Sequence, residues 1–404
     1  MVEGEQRMTS DTLQVLYLSY DGLTDPLGQS QILPYLCGLS AEGYRITVVS
    51  FEKPERFATG KQAIEALCLR HNLHWVPLLY HRKPPVASTI YDLFVLRRSV
   101  KQLHEKHNFR IVHCRSYITA FTGLWLKQRY GMKFIFDMRG FWADERVEGG
   151  LWNVSNPVFR LIYSFFKGRE RAFVRAADAV VVLTEAARAE VSSWGLNDRI
   201  TVIPCCVDLD LFNTNTFTEA DRRAVRDELG FAAEDFVFLY LGSLGTWYLY
   251  DDMVAFFRQF KAEEGHHKFL FLTPDGDRVA ADPDFAVLSV TRSEVPRYIY
   301  ASDASLCFIK PSFSKKGSSA TKMAEVMAMG VPVVTNPGWG DVAFLAERMG
   351  ALYLAGRQAE KEVNEQLIKR PEMLVNPFFM DFFSLKGGVA RYRQVYKIIG
   401  SGQA

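Results

Sequence analysis

The stretch Lys310 to Asn336, KPSFSKKGSSATKMAEVMAMGVPVVTN, decides how the chain folds. An apolar run, Ala304 to Ile309, leads into a loop rich in Ser, Gly and Lys. A helical pattern then starts near Ser318 or Ser319, with Met323, Val326, Met327 and Met329 on one face. Gly330 stops it, and Val331 to Thr335 reads as a buried strand. Strand, loop, helix and strand make one βαβ unit whose helix opens on free N–H groups around Ser319, Ala320 and Thr321. Those groups and the positive end of the helix dipole favour a phosphate, and Lys322 adds a mobile positive charge. Glu325, three positions on, shares the face of Lys322 and tilts back toward the helix start, where it can accept hydrogen bonds from a sugar hydroxyl. Phosphate donors followed by a carboxylate suit the diphosphate and ribose of a nucleotide. The same residue types also fit a Ser-capped crossover helix on which Lys322 and Glu325 form a weak surface pair.

Outward from this unit the alternation of strand and helix extends over most of the chain. Strands are expected at Leu13 to Ser19, Arg45 to Ser50, Leu73 to Pro77, Arg110 to Cys114, Lys133 to Asp137, Ala179 to Leu183 and Ile200 to Ile203. A second series follows at Phe236, Lys268 to Thr273, Phe285 to Val290 and Ala304 to Ile309. Helical patterns fill most of the gaps, including Gln29 to Glu42, Asp251 to Glu263 and a final amphipathic stretch, Gly388 to Ile399. This is an α/β chain with parallel sheets covered on both faces. At 404 residues it exceeds one typical core and fits two domains, read as 1–207 and 208–385, with 386–404 packing back on the first.

Composition is that of a globular enzyme, 48% hydrophobic and 23% charged, and the net charge is only +2. The charge is unevenly placed, because Val76 to Ala176 carries 18 Lys or Arg against 7 Asp or Glu. An anionic surface or ligand is therefore expected beside the first domain, and the basic, aromatic segments Tyr80 to Arg110 and Leu151 to Arg175 point to anionic lipid. No nucleic-acid reader motif accompanies the excess, which argues against a nucleic-acid partner. Six cysteines without CxxC spacing read as reduced core residues, and the polar start MVEGEQRMTSD is no signal peptide, so a cytoplasmic location is expected.

Strand ends mark further candidates. Asp137, Arg139, Asp144 and Glu145 follow one strand, where open α/β sheets place their crevice; they fit either substrate contacts or a salt-bridge cluster. His113, ending another, reads equally as a buried, satisfied histidine or a substrate contact. The loop Tyr20 to Gly28 follows the first strand. The Asp208-Leu209-Asp210 triplet reads as a turn, and no other metal-ligand cluster stands out, so neither a metal nor a cofactor is expected.

KMAEVMAMGVPVV resembles the EAMAxGxPVV segment of the retaining GT-B glycosyltransferases of family 4, and ITVIPCCVDLDLF resembles that family's vIPNGVDxxxF junction between domains. The stretches YDGLTDPLGQSQILPYL and FDMRGFWADERVEGG look like first-domain motifs of a bacterial branch that assembles cell-surface polysaccharide. The resemblance implies a GT-B fold, two Rossmann-like parallel-sheet domains facing a cleft. It implies a UDP- or GDP-sugar as donor and a glycan or lipid-linked acceptor. It places the donor ribose on Glu325, the base near Val290, Thr291 and Val295, and the diphosphate near Gly242 and Ser243 and on Lys322. It lines the cleft from the first domain with Gly22, Gly28, Gln29 and Gln31. The catalytic candidates are Asp137, Arg139, Lys322 and Glu325. Two departures stand out: the family's acidic residue eight positions before Glu325 is Gly317, and the glycine loop GSLGTWY lacks the family's Arg and Lys. An inverting GT-B transferase or a nucleotide-sugar epimerase shares this cleft, and a non-catalytic sugar-nucleotide-binding subunit is the alternative of another class.

Overall fold

Short runs of Val, Ile, Leu and Phe, each too brief for a helix, pair side by side because only a sheet covered on both faces buries them completely. In the computed structural model, which describes residues 13–84, 86–264, 266–356, 367 and 376–400, they form two wholly parallel sheets. The first contains β1 (Gln14–Ser19), β2 (Arg45–Glu52), β3 (His74–Leu79), β4 (Ile111–Arg115), β5 (Lys133–Asp137), β6 (Ala179–Val182) and β7 (Ile200–Val202), in the order β3-β2-β1-β4-β5-β6-β7. The second contains β8 (Phe236–Leu241), β9 (His267–Leu272), β10 (Phe285–Leu288), β11 (Ala304–Leu306), β12 (Val333–Thr335) and β13 (Leu352–Leu354), in the order β10-β9-β8-β11-β12-β13. Both sheets wind the same way. Their strand order reverses between β1 and β4 and between β8 and β11, and open α/β sheets form their ligand crevice beyond the carboxyl ends of such strands.

Three elements differ from the sequence expectation, each for a local reason. The helix expected over Gln29 to Glu42 is two pieces, Pro26–Gln31 and Leu33–Ala41, broken at Ile32. Pro34 has no N–H to continue the ladder, so the helix restarts there. The anchor helix spans Thr321–Ala328 and so begins later than Ser319, whose hydroxyl is instead occupied in accepting from Cys205 N at 3.1 Å. The last helix is longer than expected, Leu385–Gly400. It lies on the first domain, and a Cβ at Gly388 would stand 2.8 Å from both the Tyr35 ring and Cys206 Sγ. The chain crosses between the two sheets twice, and the crossings are tied together: Val207 N donates to Phe383 O at 2.8 Å and Leu385 N to Val207 O at 2.9 Å. The polar N-terminal segment and most of the stretch beyond Gly356, up to Asn376, lie outside the described residues.

Candidate functional site

The helix Thr321–Ala328 follows β11, at the reversal point of the second sheet. Its N-cap residue is Ala320, which has no side-chain acceptor for the first turn; of those N–H groups, Met323 N donates to Ala320 O at 3.0 Å. Lys322 Nζ is buried and has no hydrogen-bond partner among the described residues. It lies 3.6 Å from the ring centroid of Tyr248 and 5.0 Å from that of Tyr240, whose π faces partly compensate the charge. Gly242, at φ +113°, makes room for it: a Cβ there would stand 2.7 Å from the ammonium. Lysine and glycine loop thus meet at the buried ammonium. Ser243 beside it is exposed, and its carbonyl accepts from Tyr240 Oη at 2.7 Å.

One turn along the helix, Glu325 is 5% exposed. Arg292 Nη1 comes within 2.9 Å of its Oε1, an ion pair at a fully buried carboxylate oxygen. Burial pushes the Glu325 carboxyl above its ordinary range, against the pull of Arg292 and Lys322. Arg292 was not foreseen, since a lone arginine in SVTRSEV carries no spacing signal. It belongs to the loop holding Val290 and Thr291, just before Val295 opens the helix Val295–Tyr300. The amide and hydroxyl of Thr291 are both taken up by Glu294, at 2.9 and 2.6 Å.

The loop before the anchor helix is clasped by the first domain. Glu148 accepts from Phe313 N at 3.0 Å and Ser314 N at 2.9 Å, and Thr184 Oγ1 donates to Lys316 O at 2.5 Å. Lys315 Nζ is 2.7 Å from Glu145 Oε1 and 3.9 Å from the Trp247 ring centroid. Asp341 returns the clasp by accepting from Glu185 N at 2.7 Å and Ala186 N at 3.0 Å. Gly317 sits in this seam. A Cβ there would stand 3.0 Å from Gly140 Cα and 3.3 Å from the Phe141 ring, so an acidic side chain at this position has no room in this arrangement.

In the first domain several expected site residues turn out to be occupied elsewhere. Asp137 is 0% exposed, accepts from Tyr392 Oη at 2.9 Å and lies 3.4 Å from His113 Nε2. His113 Nδ1 meets Tyr396 Oη at 2.8 Å. Burial pushes the Asp137 carboxyl up, but Arg139, His113 and Arg115 outweigh it and hold it low; burial also lowers His113. The substrate roles expected of Asp137 and His113 therefore need correction, because the last helix seals both residues, through two tyrosines spaced one turn apart that the sequence reading did not use. Arg139, at φ +57°, turns inward, with Nη1 3.9 Å from Asp137 Oδ1 and Nη2 3.4 Å from Cys205 Sγ. The glycine loop is likewise filled: Leu23 N and Thr24 N donate to the buried Glu52 carboxylate at 2.8 and 3.0 Å. Gly22 and Gly28 serve packing there, since a Cβ at Gly28 would fall 2.1 Å from Gly22 O. Gln31 is buried and donates to Cys206 O at 3.3 Å, whereas Gln29 is exposed and donates to Thr24 O at 3.2 Å. Asp208 Oδ1 accepts from Asp210 N at 3.0 Å, a turn contact. Among the described residues no three His, Cys, Asp or Glu side chains converge as metal ligands.

Two doubly wound sheets joined at a twice-crossed seam are the GT-B fold. Residues 35–211 match the sequence profile of Glycosyltransferase Family 4. The D-inositol 3-phosphate glycosyltransferase of Geodermatophilus obscurus is 26% identical over 161 residues, which cover 40% of this chain and 33% of that protein. The chain thus spans about a third of the length of this relative. Among solved structures, a glycosyltransferase from Rickettsia africae is 14% identical with a TM-score of 0.70, covering 97% of this chain and 100% of that one. Anabaena HepE, solved in complex with UDP-glucose, is 16% identical with a TM-score of 0.63, covering 96% and 100%. Together the profile match and the fold support a glycosyltransferase.

Proposed function

We propose that the protein transfers a sugar from a nucleotide diphosphate donor to a glycan or lipid-linked acceptor, in the assembly of cell-surface polysaccharide at the cytoplasmic membrane face. The observation that carries this reading is Lys322 Nζ, buried without a hydrogen-bond partner among the described residues, beside Gly242 and one turn from Glu325. A buried ammonium that only aromatic faces compensate gains from a ligand that supplies counter-charge, and a diphosphate, favoured also by the start of this helix, has the charge to do so. Glu325 then receives the ribose hydroxyls. As the sugar departs, negative charge grows on the diphosphate, and preorganised N–H groups and Lys322 stabilise it without a metal ion or cofactor. Retention of anomeric configuration follows from likeness to the family. The UDP-glucose bound in Anabaena HepE supports a nucleotide-sugar donor for a chain of the same fold.

A surface feature supports the membrane part. Ile90, Tyr91 and Phe94 on the helix Ala87–His107 and Val158, Leu161 and Phe165 on the helix Pro157–Ala176 are exposed, Leu161 at 72%. Between these helices Phe121 stacks on Phe165, and Arg97 covers Trp125. Exposed Arg82, Lys83, Arg98, Arg160 and Arg169 lie on the same segments, the combination expected of an interfacial face on anionic lipid. Among the described residues no helix is long and apolar enough to cross a membrane.

The test is a thermal-shift panel of UDP- and GDP-sugars followed by donor turnover with candidate acceptors. A ligand at 100 times its dissociation constant adds about 2.7 kcal/mol. A panel in which no nucleotide diphosphate shifts the midpoint rejects the reading.

A further inference from the structure

A cavity of about 460 Å³ lies beside the clasp and outside the donor site, for its described lining includes none of Gly242, Arg292, Lys322 and Glu325. Small-molecule sites span roughly 300–1,000 Å³, so the space is of ligand size. On the helix Trp142–Glu148, Asp144 and Glu148 stand one turn apart and line the cavity, whereas Glu145 turns to Lys315. On the helix Pro157–Ala176, Tyr163, Lys167 and Glu170 present a second face at i, i+4 and i+7. The helix Glu185–Ser193 adds Glu190 and, just past its end, Trp194; Phe313 of the second domain completes the wall. The charges of this lining are met largely within the protein. Lys167 Nζ lies 2.8 Å from Asp144 and 2.5 Å from Glu170, which also accepts from Tyr117 Oη. Tyr163 Oη donates to Asp144 at 2.8 Å. Glu148 holds the amides of Phe313 and Ser314, and Glu190 pairs with Lys316 across the seam at 3.2 Å. Such pairing leaves little net charge to draw in an ion. What remains is acceptor capacity, because a carboxylate offers about four lone-pair sites, together with the partly exposed rings of Trp194 and Phe313. Carboxylate acceptors beside aromatic surface suit a sugar, whose hydroxyls donate to the carboxylates while its C–H bonds lie against a ring.

We propose that this cavity is an accessory carbohydrate site, which binds a neutral sugar ring and thereby favours the clasped arrangement of the two domains. Phe313 precedes the anchor helix by a few residues, so a sugar resting on both Phe313 and the first-domain wall holds the donor-bearing loop in place. Occupancy of the cavity and of the donor site is then coupled, and by linkage each ligand strengthens the other by the same factor. The coupling rests on the transferase reading above; the sugar site itself does not.

Calorimetry and tryptophan fluorescence with glucose, galactose, mannose and N-acetylglucosamine, and with a disaccharide of each, test the site in the intact chain. At least one of these sugars should bind. Its affinity should fall about 10- to 150-fold in Glu190→Gln, the loss expected for a hydrogen bond to a charged group, and about 2- to 10-fold in Trp194→Leu, which deletes ring surface. Lys316→Gln removes the seam pair and keeps the Glu190 carboxylate, so it should cost far less than Glu190→Gln. Lys322→Met should leave sugar binding unaltered, which separates the cavity from the donor site. Saturating sugar should raise UDP affinity about fivefold or more, and Phe313→Ala, which takes away the second domain's wall, should abolish that gain. Melting curves establish that each variant is folded. If UDP fails to bind the unmodified chain, the donor reading fails while the sugar comparisons still stand. A disaccharide that binds more tightly than its monosaccharide marks a glycan chain as the occupant, and equal affinities mark a free sugar; either supports the site. A panel in which no sugar binds, or a sugar whose affinity is the same in Glu190→Gln and Trp194→Leu as in the unmodified chain, overturns it. Sugar binding that leaves UDP affinity unaltered overturns its link to the clasp.

Discussion

Lys322→Met separates a functional lysine from a structural one because the two roles predict opposite signs. The substitution keeps an unbranched chain of similar length and its packing against Tyr240 and Tyr248, and it deletes only the ammonium. In the free protein that ammonium has no hydrogen-bond acceptor among the described residues. Its compensation is the pair of ring contacts at 3.6 and 5.0 Å. Contacts of this kind contribute about 0.5–2 kcal/mol, comparable to the penalty of about 1–3 kcal/mol or more for a buried unsatisfied polar group. Removing both leaves the melting midpoint unchanged or raised. Donor chemistry suffers instead. One charge-assisted hydrogen bond to a phosphate oxygen is worth about 1.5–3 kcal/mol, or about 10- to 150-fold. Because charge on the diphosphate grows as the sugar leaves, turnover should fall further than donor affinity. Urea melts, calorimetric titration of UDP and GDP, and steady-state kinetics read the three quantities. Unaltered turnover and nucleotide affinity, accompanied by a loss of stability above about 2 kcal/mol, would refute the assignment and make the lysine a packing residue.

The other tests address neighbouring features. Glu325→Ala should weaken donor binding by about 10- to 150-fold with little change in melting. In the unmodified protein, donor affinity should fall as pH drops through the raised Glu325 pKa, since the protonated carboxyl accepts hydroxyls less well. Arg292→Gln removes an opposing cation and should move that fall to higher pH; a pH profile of binding identical in the two proteins rejects the coupling. Gly317→Ala should cost about 1–3 kcal/mol in a urea melt, because its Cβ must displace the Gly140 backbone, and a neutral result would mean the seam is looser than it looks. Turnover should persist in EDTA, whereas loss that manganese or magnesium restores would overturn the metal-free reading. Vesicle sedimentation should increase with anionic lipid content and drop in Phe94→Ser combined with Leu161→Ser, while binding indifferent to lipid charge removes the membrane face.

How much of this was legible in the sequence depends on whether a feature is local. The anchor unit was, because Met323, Val326 and Met327 mark a helix face and Gly330 ends it within a few residues, and the strand runs were, because burial on both faces leaves unbroken apolar stretches. Lys322 and Glu325 share a face by helical spacing alone. Partnerships made across the molecule were not legible. Nothing in the sequence ties Arg292 to Glu325, Glu148 to the amides of Phe313 and Ser314, or Glu52 to the loop at Gly22. Asp137 and His113 show the same limit from the other side. Strand ends do point to a crevice, but a helix more than 240 residues later covers these two ends, with Tyr392 and Tyr396 meeting them by hydrogen bonds. At the end of β4, Arg115 pairs instead with the partly exposed Asp21, 3.5 Å from its Nε, a contact equally invisible in the sequence. The rule of sheet geometry that marks strand ends as crevice positions therefore meets a buried structural network at β5, and only the position of the last helix, far along the chain, decides that this strand end is closed to a ligand.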